Sequence, residues 1–200
     1  MPKGFTEQER TYIKRRLMEE AEKCLTQFGA RKTTVDELVK RVNIPKGTFY
    51  LFYESKELLL FEVISAFQTE LQMDMLNRLK EFNDQITSEE LTGLLFELYK
   101  RVESSFLYQF ITTGDLELLM RKLPEEVVKA HAEEDDFSLE QLLAMLPVKK
   151  TENSKTFSAA LRAIFLSMLH KREIGEEVFE EALRMMIRGI VIQMMECDTL

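Results

Sequence analysis

A chain of 200 residues with 45% apolar and 31% charged content is an ordinary globular sequence, long enough for one mid-sized domain or a small head on a larger body. No apolar run approaches the ~18 residues of a membrane span, and the polar start Met1-Pro2-Lys3-Gly4 does not read as a signal peptide. The net charge of −8 argues against general affinity for nucleic acid, but it is unevenly spread: residues 1–56 hold 12 Lys/Arg against 8 Asp/Glu, the remainder 15 against 27. A basic head on an acidic body is expected when one end alone meets phosphates. Cys24 and Cys197 lie far apart with no CxxC or histidine partner, which suggests reduced thiols and a cytoplasmic protein.

Glycine and proline are few and strand-like alternation is absent, so the chain is expected to be all-α, with about nine helices. Thr6-Glu7-Gln8-Glu9 is a capping box opening a first helix. Ile13, Leu17, Ala21, Cys24, Leu25 and Phe28 give it a single apolar stripe, and Gly29 suits its C-terminal end. Thr34 and Glu37 form a second capping box, and Val35, Leu38, Val39 and Val42 give that helix an apolar side. Asn43 suits a left-handed turn and Pro45 the first position of a new helix over 45–52, which carries Lys46, Gly47, Thr48, Phe49 and Tyr50. So short a helix builds no core. A cation, a hydroxyl, a bare backbone and two aromatics suit entry into a DNA major groove.

Ser55 caps a long helix to about residue 82, whose start belongs to the head and whose later part, with Phe67, Leu71, Met75 and Leu79, belongs to the body. Ala66 on that later part is expected to face a cavity. Ser88 opens a helix reaching about Thr112, Leu116–Leu123 is short, and Glu125 to about Met145 carries the acidic run Glu133-Glu134-Asp135-Asp136. Two final amphipathic helices flank Gly175. The first offers Phe157, Leu161, Ile164, Phe165 and Met168, the second Phe179, Leu183, Ile187, Ile190, Val191 and Met194.

No constellation for catalysis is present: His131 and His170 are the only histidines, and no nucleophile elbow or glycine-rich phosphate loop occurs. The chain therefore reads as a non-enzyme with no metal and no cofactor. His131 beside the acidic run reads as a solvated helix end, because one histidine among flexible carboxylates fixes no metal geometry.

The stretch from Thr33 to Leu60 resembles the helix-turn-helix of the tetracycline-repressor (TetR/AcrR-type) family of bacterial transcriptional regulators. The matching residues are Thr33-Thr34-Val35, Lys46-Gly47-Thr48-Phe49-Tyr50 and Ser55-Lys56-Glu57-Leu58-Leu59. Asn43 stands for the usual turn glycine, Pro45 for the usual serine and Tyr53 for a common phenylalanine. The resemblance implies a three-helix DNA-binding head, residues 1–54, on a larger ligand-binding and dimerisation body, residues 55–200. It implies that Thr34, Lys46, Tyr50 and Lys56 meet phosphates, that Gly47 permits close approach, and that Thr48 and Phe49 face base edges.

Over the body the resemblance rests on helix order. It implies a homodimer built from the last two helices through Phe157, Leu161, Phe165, Met168, Leu183, Ile187, Ile190, Val191 and Met194. By composition alone those stripes serve an intrachain core equally well. Phe96, Tyr99, Phe106, Tyr108, Phe110, Met120, Phe137, Met145 and Phe165 make the body rich in aromatics and methionine, which is core residue by residue. As a set, such residues suit an adaptable apolar cavity, and the resemblance implies a small effector there, lined by Phe67, Phe96, Tyr99, Phe106, Phe110, Met120 and Phe165. The expected function is a repressor that binds a palindromic double-stranded DNA operator as a homodimer and is released by an apolar or amphipathic effector. Two alternatives stand beside it: a constitutive DNA-binding dimer without a switch, and an all-helical interaction module.

Overall fold

The computed structural model describes residues 5–82, 86–131 and 154–196, and their regular structure is entirely helical. α1 (Glu7–Lys32), α2 (Val35–Val42), α3 (Lys46–Phe49) and α4 (Lys56–Glu81) are followed by α5 (Ser88–Glu103), α6 (Phe106–Thr112) and α7 (Asp115–Met120). Residues 125–131 are helical (α8), and the last described segment holds α9 (Ser154–Ser167), a 3-10 turn (Met168–His170), α10 (Lys171–Ile174) and α11 (Phe179–Glu196). The acidic run 133–136, Phe137, Met145 and Cys197 lie outside the described residues.

The helix starts follow local chemistry. Thr6 Oγ1 accepts from the Glu9 N–H at 3.3 Å while Glu9 Oε2 accepts from the Thr6 N–H at 2.8 Å, closing the expected box. Thr34 accepts from the Glu37 N–H at 3.2 Å, but the Glu37 carboxylate turns to Arg41 Nε at 2.7 Å, so that box is half made. Thr87, one residue before the expected Ser88, caps α5 by a full box with Glu90. The helix expected over 88–112 is two helices. Ser105 accepts from the Leu107 N–H at 3.2 Å and so starts α6, a local side-chain bond that competes with helix continuation.

The chain folds as two compact units, the first using residues up to Thr69 and Ser105–Pro124, the second Glu70–Ser104 and the residues from Glu125 on. The sequence-expected head lies within the first unit, which also takes the first half of α4 and the whole of α6 and α7. Leu17, Ala21 and Cys24 of α1, Leu38 of α2, Phe49 of α3 and Leu59 of α4 are fully buried there. Phe28, expected in the α1 stripe, is instead half exposed with the Arg41 guanidinium 5.6 Å from its ring centre. Gly29 takes φ +74°, ending the regular part of α1 as a left-handed residue must.

In the second unit α11 packs against α5 and α9. Leu161 and Met168 of α9 and the 3-10 turn, and Leu183, Ile187, Val191 and Met194 of α11, are all buried inside this single chain. Phe157, Phe165 and Ile190 are half-buried. The stripe expected at a dimer interface is therefore already covered by the subunit's own α5, since an apolar stripe packs on whatever partner the chain supplies first. Ile187, with no exposed surface, is a core residue. Ile187→Ala should cost about 2–5 kcal/mol, read as a lowered midpoint in urea unfolding followed by circular dichroism. Met73→Ala, at a residue 52% exposed, should stay within about 0.5 kcal/mol.

Candidate nucleic-acid interface

The turn between α2 and α3 is set by two residues. Asn43 adopts φ 59°, ψ 50°, the left-handed conformation its short polar side chain tolerates. Pro45 at φ −60° occupies the cap before α3, where its missing N–H would have no helical partner. α3 spans four residues, and the bonds from Leu51 N to Thr48 O, Phe52 N to Phe49 O and Tyr53 N to Phe49 O continue it as turns.

With a helical repeat near 3.6 residues, so short a segment has two sides. Thr48 (8% exposed) and Phe49 (0%) face inward, against the expectation that they meet base edges. Phe49 packs edge-on to Tyr50 with ring centres 5.3 Å apart, and 5.9 Å from Tyr53, which is itself buried. The outward side carries Lys46, Gly47, Tyr50 (51% exposed) and Leu51 (59%). A Cβ at Gly47 would meet no atom of the chain within 4 Å. Leu51 was missed from the sequence, although it lies four residues after Gly47, on the same side.

The cations divide in the same way. Lys46 Nζ is 2.9 Å from Asp36 Oδ1 at the start of α2, on the exposed surface, and that hydrogen-bonded carboxylate raises the Lys46 pKa above its usual value. Lys56, expected at a phosphate, turns inward instead: its Nζ donates to Ala30 O at 3.0 Å, at the end of α1. Burial lowers its pKa, and its charge complements the negative end of α1. Thr34 is exposed; its oxygen accepts the capping bond, which leaves the hydroxyl proton available. Beneath this surface the buried Glu20 carboxylate pairs with Lys23 at 2.8 Å and Arg16 at 3.3 Å within α1 and reaches Arg41 of α2 at 3.7 Å, and the hydrogen bond from Lys23 leads the causes that hold its pKa low.

α6 and α7 are joined to the rest of the first unit by ion pairs. Asp115, the buried first residue of α7, takes Arg31 Nε at 2.9 Å, and Lys122 reaches Glu57 at 3.0 Å. Of the residues expected around an effector, Phe67 and Phe106 meet in this unit, ring centres 5.3 Å apart, with Phe110 buried and Met120 half-buried. Ala66, expected to face a cavity, is exposed. Tyr99 and Phe165 meet in the second unit at 6.0 Å, where the Tyr99 hydroxyl donates to Leu161 O at 2.6 Å and the Arg184 guanidinium lies 5.6 Å from the Phe96 ring centre. The expected lining set is thus divided between the two units. Gln68 Oε1, next to Phe67, and Ser158 Oγ on α9 are buried with no hydrogen-bond partner among the described residues.

A one-turn helix presented outward from a three-helix scaffold defines a helix-turn-helix head on a helical body. Residues 17–63 match the family described as bacterial regulatory proteins, tetR family. The chain is 39% identical over 59 residues to the HTH-type transcriptional regulator YhgD of Bacillus subtilis (strain 168), itself uncharacterized; the match spans 30% of this chain and 31% of YhgD. Two solved structures share the fold. One is from Mesorhizobium loti MAFF303099, assigned to a TetR-family transcriptional regulator (TM-score 0.64, 14% identity, 90% of this chain and 94% of that one). The other is RolR in complex with the ligand resorcinol (TM-score 0.56, 18% identity, 93% and 96%).

The inward position of Phe49 makes its substitution a stability change. Phe49→Ala should destabilise the first unit by about 3–5 kcal/mol, measured by thermal unfolding, whereas Tyr50→Ala should leave the unfolding temperature unchanged and act only on DNA affinity.

Proposed function

We propose that the protein is a cytoplasmic transcriptional repressor that binds a palindromic operator as a homodimer and releases it on binding a small, mostly apolar effector. The observation that carries this reading is the two-sidedness of α3. Its inner residues are used in the core, and its outer side offers Gly47 beside Tyr50 and Leu51 with nothing of the chain against it. Such a surface fits a duplex groove: Gly47 lets the helix approach closely, Lys46 and the Tyr50 hydroxyl reach phosphates, and Leu51 offers apolar contact to a thymine methyl. The Thr34 hydroxyl and the N-terminus of α2 add a further phosphate site.

One short helix reads few base pairs, so specificity needs two heads about 34–36 Å apart on successive major grooves, or a multiple of that distance. A second face of α9 and α11 supports pairing with another copy. Ala159, Ala163 and Leu166 on α9, and Met185 and Gly189 on α11, recur at helical spacing and are exposed. Small residues there allow close helix approach, and the exposed Leu and Met supply apolar area.

An effector is supported within each unit taken by itself: Gln68 Oε1 in the first and Ser158 Oγ in the second are buried with no hydrogen-bond partner among the described residues, at a cost of about 1–3 kcal/mol each. RolR, a protein of similar fold, holds resorcinol. Coupling to the head would pass through α6 and α7, which the Arg31–Asp115 and Lys122–Glu57 pairs fix to α1 and α4. A ligand can shift DNA affinity only by its differential affinity for two states, typically about 1–3 kcal/mol.

The test is fluorescence anisotropy on a duplex enriched by the wild-type protein from a random-sequence library. Gly47→Ala should leave thermal stability equal or higher, since alanine favours helix by ~1 kcal/mol over glycine, yet weaken binding at least tenfold. Unchanged affinity would remove α3 from the groove. Met185→Glu with Gly189→Glu should convert a sedimenting dimer into a folded monomer that no longer holds the duplex.

A further inference from the structure

The proposed DNA-facing surface carries an acidic residue that the function above does not use. Asp36 is 74% exposed at the start of α2, and its two carboxylate oxygens lie 2.9 and 3.1 Å from the Lys46 ammonium, itself 52% exposed. Ten residues separate the two in sequence, so the pair bridges the turn and joins α2 to α3 on their outer side. Elsewhere in the first unit Arg41 pairs with Glu37 and Glu20, Arg31 with Asp115, and Lys56 donates to the Ala30 carbonyl, while Lys32 and Lys40 are exposed. Lys46 is the cation of α3 that a phosphate would meet, and it already holds an anion.

We propose that Asp36 is an intramolecular competitor for DNA phosphate at Lys46, which lowers the affinity of the head for every duplex and leaves discrimination to the base contacts. This rests on the DNA-binding reading of α2 and α3. When Lys46 leaves Asp36 for a phosphate, a counterion is released from the DNA, but the freed carboxylate stands unpaired within a Debye length, about 10 Å, of the phosphate charges. The gain from the new contact is offset by the lost pair and by that repulsion. A head whose cations are already paired also releases fewer net counterions, so its binding depends less on salt than its count of lysines and arginines implies. The acidic partner thus suppresses coating of random DNA while two linked heads on a palindrome, each adding its base contacts, still bind.

The test uses the full-length protein and two duplexes, the one enriched by the wild-type protein from a random library and a scrambled duplex of the same composition. Asp36→Asn keeps the side-chain shape and removes the charge. It should raise affinity for both duplexes by about two- to fivefold at low salt, the range of a surface ion pair. It should also steepen the slope of log affinity against log salt by up to about 0.9, the value for one phosphate contact. In a Lys46→Met background Asp36→Asn should bring no gain, while Glu54→Gln, which removes a head carboxylate outside this pair, should change affinity less than Asp36→Asn. A gain that persists undiminished without Lys46 would show a general field effect and overturn the proposal, as would an unchanged affinity and slope. Failure of the wild-type protein to enrich or bind any duplex would overturn the DNA-binding reading itself, and the proposal with it.

Discussion

The placement of the Phe49 ring is the constraint on which the head depends. A helix of four residues has too few internal hydrogen bonds to hold itself in water, because nucleating a first turn fixes three residues for one bond. α3 persists because Phe49 is fully buried with Tyr53 behind it, while Thr48 faces the same interior. Once those side chains are fixed, the 3.6-residue repeat leaves Lys46, Gly47, Tyr50 and Leu51 no direction but outward. The core therefore sets the binding surface, and its orientation is no more adjustable than the packing of one phenyl ring.

Charge is organised around the same scaffold. The buried Glu20 holds Arg16 and Lys23 along α1 and Arg41 across from α2, so Arg41 serves the join between the two helices. Lys56 is spent on the carbonyl end of α1. The outer side of α2 and α3 is thus less basic than the composition of residues 1–56 implies, and Lys46 itself carries an acidic companion. Positive charge counted along a sequence is an upper bound on what phosphates can find.

The second organising feature is the exchange of segments between the two units. α6 and α7 follow α5 in the chain yet pack with α1, and buried Asp115 fixes α7 to Arg31 across 84 residues of sequence. α4 begins in one unit and ends in the other. The first compact unit is consequently built from α1–α3, the first half of α4 and a remote helical pair.

The sequence by itself determined the class of fold, the capping box at Thr6 and the Thr34 cap, the left-handed turn at Asn43 and the position of the helix-turn-helix. Each is a matter of local backbone chemistry and of residues within one or two turns of each other. It did not determine which side of α3 faces out, because Phe49 and Tyr50 are both aromatic and only tertiary burial separates them, at 0% and 51% exposure. It could not tell that Lys56 turns inward, since the carbonyl it meets belongs to Ala30, 26 residues away. The apolar stripe of α11 was legible as a stripe, but its occupant was not: an amphipathic helix states that one face must be covered, and only the tertiary structure decides that α5 covers it and that Met185 and Gly189 are left for another surface.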